Sequence, residues 1–121
     1  MTSRILIVDD SPPFRAAVAE LLIERGFEVL VAVGDGDEAL AAVAERCPDG
    51  ILLDVNLPGR DGFSVAATLS ASCPAARIVL TSAEVDYVGP ATLETCTAVA
   101  FVPKQDLAAA DLKTLFQPAG T

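Results

Sequence analysis

The feature that most constrains the fold is a regular alternation of two hydrophobic patterns along the 121 residues. Short apolar runs rich in β-branched residues predict strands that are buried on both faces. The predicted strands are RILIVDD (4–10), EVLVAV (28–33), GILLD (50–54), ARIVLTS (76–82) and AVAFVPK (98–104). Because helical patterns separate these runs, we expect right-handed crossovers and an α/β fold, a five-stranded parallel sheet with helices on both faces.

The predicted helices differ in how clearly their ends are marked. The first follows Ser11, a plausible N-cap, with prolines early and Gly26 just past its end. A last helix is predicted to start at Asp106. The other clear helical patterns lie in residues 34–46 and 60–72. Between 83 and 97 the pattern is poor because Gly89-Pro90 interrupts it, so we expect a fourth helix that is short, displaced or partly unwound.

Size, charge and hydropathy limit the classes of protein. A chain of 121 residues fits one domain, 1–121. No apolar run approaches the roughly 20 residues that span a bilayer, and no signal peptide follows the first methionine, so we expect a cytoplasmic protein without membrane contact. A net charge of -9 with scattered Lys and Arg argues against direct nucleic-acid binding.

Three cysteines, Cys47, Cys73 and Cys96, form no CxxC pair, and the chain has no histidine to complete a metal site with them. An odd number of cysteines without a secretory signal is typical of reduced thiols. We therefore predict that all three are free and partly buried.

Polar side chains stand at the ends of four predicted strands. Strand one ends in Asp9-Asp10, strand three in Asp54 and strand four in Thr81-Ser82, and strand five runs into Lys104. In an open parallel sheet, functional groups gather outside the carboxyl ends of the strands. The sequence therefore predicts a site with three carboxylates, a hydroxyl and a lysine.

The chemistry of this set points to phosphoryl transfer. Three neighbouring carboxylates repel one another unless a cation neutralises them, and all-oxygen ligands suit Mg²⁺. A lysine and a hydroxyl opposite the carboxylates can neutralise the oxygens of a phosphoryl group. Asp54, central among these groups, is the natural nucleophile.

Four motifs carry a family resemblance: ILIVDD, LLDVNLPGRDG, IVLTS and FVPK, in this order and at the family's spacing. With them, the chain resembles the receiver domain of bacterial two-component response regulators from about Arg4 to about Phe116. The resemblance implies the flavodoxin-like receiver fold. Since only about one helix follows Lys104, we interpret the sequence as a single receiver domain without an output domain.

The resemblance also implies roles for single residues. Asp54 would be the phosphoacceptor, which receives its phosphoryl group from a histidine kinase or a phosphotransfer protein. Asp10 would ligate Mg²⁺ directly, Asp9 through water or as a second ligand, and Asn56 through its backbone carbonyl. Such a domain is a signalling module and not an enzyme, although it catalyses its own phosphorylation and dephosphorylation.

Three further positions match the family's response machinery. Thr81 would hydrogen-bond a phosphoryl oxygen, Lys104 would pair with another, and Phe101 would be the aromatic switch that turns inward with the threonine. The resulting two-state change would control a downstream protein target or output domain, with a homodimer as one form. Because Gln105 and not proline follows Lys104, the cis bond common in the family is expected to be absent.

Two other function classes stay open on the sequence. A phosphatase with an aspartyl nucleophile has similar chemistry, but such enzymes usually carry Asp-x-Asp on the first strand, and here Asp9 and Asp10 are adjacent. A degenerate receiver would act only as a phosphorylation-independent interaction module. The irregular segment 83–97 favours this alternative, and the complete set of site residues opposes it.

Overall fold

The structure is a computed structural model and describes residues 2–117. The strands are β1 (Arg4–Val8), β2 (Glu28–Val33), β3 (Gly50–Asp54), β4 (Asn56–Leu57), β5 (Arg60–Asp61), β6 (Arg77–Ser82) and β7 (Ala100–Pro103). Strands β1, β2, β3, β6 and β7 form one parallel sheet in the order β2-β1-β3-β6-β7, and β4 and β5 form a small antiparallel ladder after β3. This order is that of flavodoxin-like folds, so the predicted fold class is confirmed.

Five α-helices and one 3-10 helix connect the strands. They are α1 (Pro12–Glu24), α2 (Gly36–Glu45), α3 (Gly62–Ser72), α4 (Pro90–Cys96), the 3-10 helix Lys104–Ala109 and α5 (Leu112–Phe116). Within residues 2–117, no helix combines the length and the apolar character needed to cross a bilayer.

The sheet separates two hydrophobic cores because alternate strand residues point to opposite faces. Ile5 and Ile7 pack with α1 and α5, whereas Leu6 and Val8 pack with α2, α3 and α4. Four apolar residues of β1 are fully buried, which explains its unbroken hydrophobic run. The carboxyl ends of the strands are thereby held rigidly at one edge.

Helix α4 is short, as the sequence predicts. Its seven residues begin at Pro90 after Gly89, which supplies no side-chain cap. The helix ends at Thr97, whose φ of 62° is left-handed and stops further helical turns. Both ends are therefore set by local backbone chemistry.

The prediction of one last helix starting at Asp106 is wrong. Residues 104–109 form a 3-10 helix, and α5 starts only at Leu112. The Arg25 guanidinium donates hydrogen bonds to the carbonyls of Ala108 and Ala110, which draws them toward α1. Asp111 then caps α5 by accepting from the backbone and side chain of Thr114, and these hydrogen bonds lower the pKa of Asp111.

The prediction of three reduced cysteines is also wrong for two of them. Cys47 follows α2 and Cys73 caps the end of α3, and they form a disulfide with Cα atoms 5.6 Å apart. The two helices pack side by side, so their ends meet although the cysteines are 26 residues apart. Cys96 is free and buried, as predicted.

Candidate functional site

The register of the sheet brings the predicted site residues together. Asp54 lies opposite Thr81 on the neighbouring strand, and Val8, directly before Asp9, lies opposite Leu53. Lys104 follows the last residue of β7 at the same edge. This geometry agrees with the rule that ligands bind outside the carboxyl ends of parallel strands.

The three aspartates form one cluster. Oxygens of Asp9, Asp10 and Asp54 lie within 4.8 Å of one another. Asp9 and Asp54 are buried, with 1% and 4% exposure, while Asp10 is exposed. Hard oxygen donors that open to solvent on one side fit Mg²⁺, which keeps several of its waters.

Lys104 closes the cluster from the opposite side. Its Nζ lies 2.7 Å from Oδ2 of Asp9 and 3.1 Å from Oδ2 of Asp54. Burial alone would lower the pKa of Lys104, but the two carboxylates outweigh this effect and raise it. The site therefore holds a cation beside two buried carboxyl groups.

Asp54 has an unusual electrostatic environment. Burial raises the pKa of its carboxyl group, and the neighbouring carboxyl group of Asp9 acts in the same direction. The backbone N–H of Asn56 and the ammonium of Lys104 lower the pKa, yet the net shift is upward. Ionised Asp54 is thus costly unless further positive charge enters the site.

This upward shift predicts that Asp54→Asn stabilises the metal-free protein at neutral pH. The Asp54 carboxyl group has a higher pKa in the folded protein than its value of 3.8 in the unfolded chain, so its ionisation favours unfolding. The contribution of Asp54 to the free energy of unfolding is therefore highest below pH 3.8 and falls as the pH rises through the folded pKa. In chelator at pH 7, the variant should melt at a higher temperature than the wild type, and the difference should vanish near about pH 4. A higher melting temperature for the wild type at pH 7 would contradict this.

Backbone hydrogen bonds fix the orientation of the two buried carboxylates. The N–H of Ser11 donates to Oδ1 of Asp9 at 2.9 Å, and the N–H of Asn56 donates to Oδ1 of Asp54 at 2.8 Å. Arg15 donates to the carbonyl of Asp9 at 2.7 Å. In both aspartates, the bonded Oδ1 leaves Oδ2 directed at Lys104.

The two residues at the end of β6 play different parts. Thr81 is buried, and within residues 2–117 its Oγ1 has no hydrogen-bond partner. The Ser82 hydroxyl accepts from Nδ2 of Asn56 and from the backbone N–H groups of Glu84 and Val85. Ser82 therefore joins the loops after β3 and β6, a role that the sequence pattern, in which it is an ordinary strand-end residue, did not reveal.

Phe101 lies on β7, where it is half-buried and packs against the core shared by α3 and α4. It pairs in register with Leu80, one residue before Thr81. This position agrees with coupling between the threonine and the aromatic ring, and the switch role stays a prediction. Every peptide bond of the described chain, including the one after Lys104, is trans.

The fold and the acidic edge together define a class of protein. The sequence model of the family described as "Response regulator receiver domain" matches residues 5–116. The chain belongs to this family, whose members are signalling domains of two-component systems and bind Mg²⁺ at an acidic pocket. The family resemblance predicted from the four motifs is therefore confirmed.

Particular relatives agree with this assignment. The DNA-binding response regulator MtrA of Mycolicibacterium smegmatis is 42% identical over 82 residues, which cover 68% of this chain and 36% of MtrA. The chain thus spans little more than a third of that relative. The chemotaxis response regulator CheY4 of Vibrio cholerae has a similar structure, with a TM-score of 0.80, 29% identity and coverage of 95% of this chain and 97% of that chain.

A second similar structure is the CheX-CheY-BeF3-Mg²⁺ complex of Borrelia burgdorferi. Its TM-score is 0.80 at 23% identity, with coverage of 96% of this chain and 90% of that chain. At this identity the likeness shows the fold alone.

Proposed function

We propose that this chain is a phosphoacceptor and that Asp54 receives a phosphoryl group from a phosphohistidine of a kinase or phosphotransfer protein. One observation carries the proposal. The buried carboxylate of Asp54 has Oδ1 bound by a backbone N–H and lies 3.1 Å from the Lys104 ammonium, within a cluster of three aspartates. A purely structural ion pair would need only one carboxylate for Lys104, whereas this site holds three aspartates.

The transfer itself is a displacement at phosphorus. An Asp54 carboxylate oxygen forms the new O–P bond, and the P–N bond to the donor imidazole breaks, with its electron pair leaving on the imidazole nitrogen. Lys104 supplies positive charge to one phosphoryl oxygen. Thr81, whose buried hydroxyl lacks a partner, donates a hydrogen bond to another.

Asp9, Asp10 and Asp54, with the backbone carbonyl of Asn56, would hold Mg²⁺. When bound, the ion neutralises the carboxylates and the phosphoryl oxygens. The donor set supports this because all of its atoms are oxygens and one aspartate faces solvent.

The outcome of phosphorylation is a two-state change that controls partner binding. Drawing Thr81 toward the phosphoryl group would let Phe101 turn inward and alter the surface near α4 and β7. The partner that binds this surface is a downstream protein, a second copy of the chain or an output domain such as the one implied by the DNA-binding relative. We place this signalling in the cytosol.

A phosphorylation-independent interaction module is the second candidate. The short α4 and the 3-10 helix that replaces the first part of the predicted last helix favour it. Both features lie beside β7, where the sequence departs from the receiver pattern. This candidate predicts a folded protein that binds a partner without any phosphoryl transfer.

The test of the proposed function is phosphorylation by acetyl phosphate over a Mg²⁺ titration, followed on phosphate-affinity gels. We expect Asp10→Asn to raise the Mg²⁺ concentration for half-maximal phosphorylation by about tenfold or more, because an exposed ligand is lost. Glu20→Gln removes the same charge from an exposed position of α1 and serves as the control. Wild-type protein that is folded but never phosphorylated would favour the interaction module.

A further inference from the structure

The site lysine contacts an aromatic ring in addition to the two acids. The Nζ of Lys104 lies 4.1 Å from the centroid of the Phe14 ring. The lysine side chain is only 17% exposed, and Phe14 is half-buried. Because a cation over an aromatic face is attracted more strongly when it is shielded from water, this contact is favourable.

The first turn of α1 fixes the position of the ring. The Ser11 hydroxyl accepts from the backbone N–H of Phe14 at 3.3 Å, and Pro12 opens the helix. The N–H of the same serine holds Asp9. Ser11, the N-cap of α1, therefore positions both Asp9 and Phe14, so their positions are coupled.

We infer that Phe14 is a positioning residue for Lys104 and keeps the ammonium group directed into the site. The inference rests on the proposed function. Asp9 and Asp54 are proposed metal ligands, so they are shared between Lys104 and the ion. The ring of Phe14 packs against the core beside α1 and offers no metal ligand, so its contact with the ammonium does not compete with the ion.

A groove beside Lys104 offers its side chain an alternative position when the Phe14 ring is absent. Lys104 itself lines a groove of about 250 Å³ between α1 and the 3-10 helix, together with Phe14, Ala17, Val18, Leu21, Leu107 and Ala108. A lysine side chain loses rotamer entropy when it is held in one position, so without the ring Lys104 is freer to leave the inward position along this open groove. Loss of the Phe14 ring should therefore lower the fraction of molecules in which the Lys104 ammonium group is directed into the site.

The first test observes the contact directly and does not depend on phosphorylation. The chain has only two lysines, Lys104 and Lys113, and Lys113 serves as internal reference in the NMR spectrum. We expect the ε protons of Lys104 to lie upfield of those of Lys113 because of the ring current. Phe14→Leu should remove this shift and Phe14→Tyr should keep it, whereas coincident lysine resonances in the wild type would overturn the inference.

The second test measures whether the contact matters to the site. We expect Phe14→Leu to weaken Mg²⁺-dependent binding of BeF3 by about three- to tenfold, and Phe14→Tyr to restore it to within about twofold. In a Lys104→Met background, Phe14→Leu should cause no further weakening. Equal weakening in both backgrounds would show that Phe14 acts by packing alone and would overturn the inference.

The two tests separate the two proposals. Wild-type protein that binds no BeF3 at any Mg²⁺ concentration would overturn the proposed function. The lysine resonances would still decide whether Phe14 places Lys104.

Discussion

Asp54→Asn is expected to reduce the rate of phosphorylation by acetyl phosphate by about a thousandfold or more, to the background level. The substitution replaces the nucleophilic oxygen by an amide group of the same size. The backbone N–H of Asn56 can still donate to a carbonyl oxygen in the Oδ1 position, and the Lys104 ammonium keeps its contact with Asp9. Loss of activity would therefore reflect lost chemistry and not a lost fold.

The control for this variant is Asp37→Asn. Its carboxylate is 78% exposed and pairs with Arg60 at the surface, so the change in charge is the same and the site is untouched. We expect its phosphorylation rate to match that of the wild type. If Asp54→Asn is phosphorylated as fast as this control, another residue is the phosphoacceptor.

Reduction of the Cys47–Cys73 disulfide is expected to lower the free energy of unfolding by about 3.5 kcal/mol. The bond closes a loop with a sequence separation of 26, and opening it returns conformational entropy to the unfolded chain. For a domain of this size the melting temperature should fall by roughly 10–15 °C. Thermal melts with and without a thiol reductant measure the effect.

Cys47→Ser is the matched variant for this prediction. Cys47 is exposed and Cys73 is buried, so the substitution opens the bond without leaving a cavity in the core. The variant should melt like the reduced wild type and should not respond to reductant. Three titratable thiols in the unfolded wild type before any reduction would show that the bond is absent.

The location of the site was predictable because it depends on strand ends alone. Asp9, Asp54 and Thr81 follow unbroken apolar runs, and a parallel sheet brings such ends to one edge whatever the helices do. The lysine after β7 obeys the same rule. Alternation of strand and helix patterns was sufficient to give the sheet and its covering helices.

The features that the sequence did not reveal depend on contacts between distant segments. The disulfide forms only because the ends of α2 and α3 meet, and no local sequence pattern predicts that contact. The break in the last helix depends on Arg25, which lies 83 residues before Ala108. The contacts of Ser82 and Phe14 likewise belong to the packed site, where each residue type alone is ordinary.

The most direct test of the central claim is mass spectrometry of the wild-type protein after incubation with acetyl phosphate and Mg²⁺. Intact mass counts the phosphoryl groups, and borohydride reduction of an aspartyl phosphate leaves homoserine, which peptide sequencing locates. We expect one phosphoryl group, homoserine at position 54, and neither in chelator. No mass increase in a folded protein, or homoserine at Asp9 or Asp10 instead, would contradict Asp54 as the phosphoacceptor.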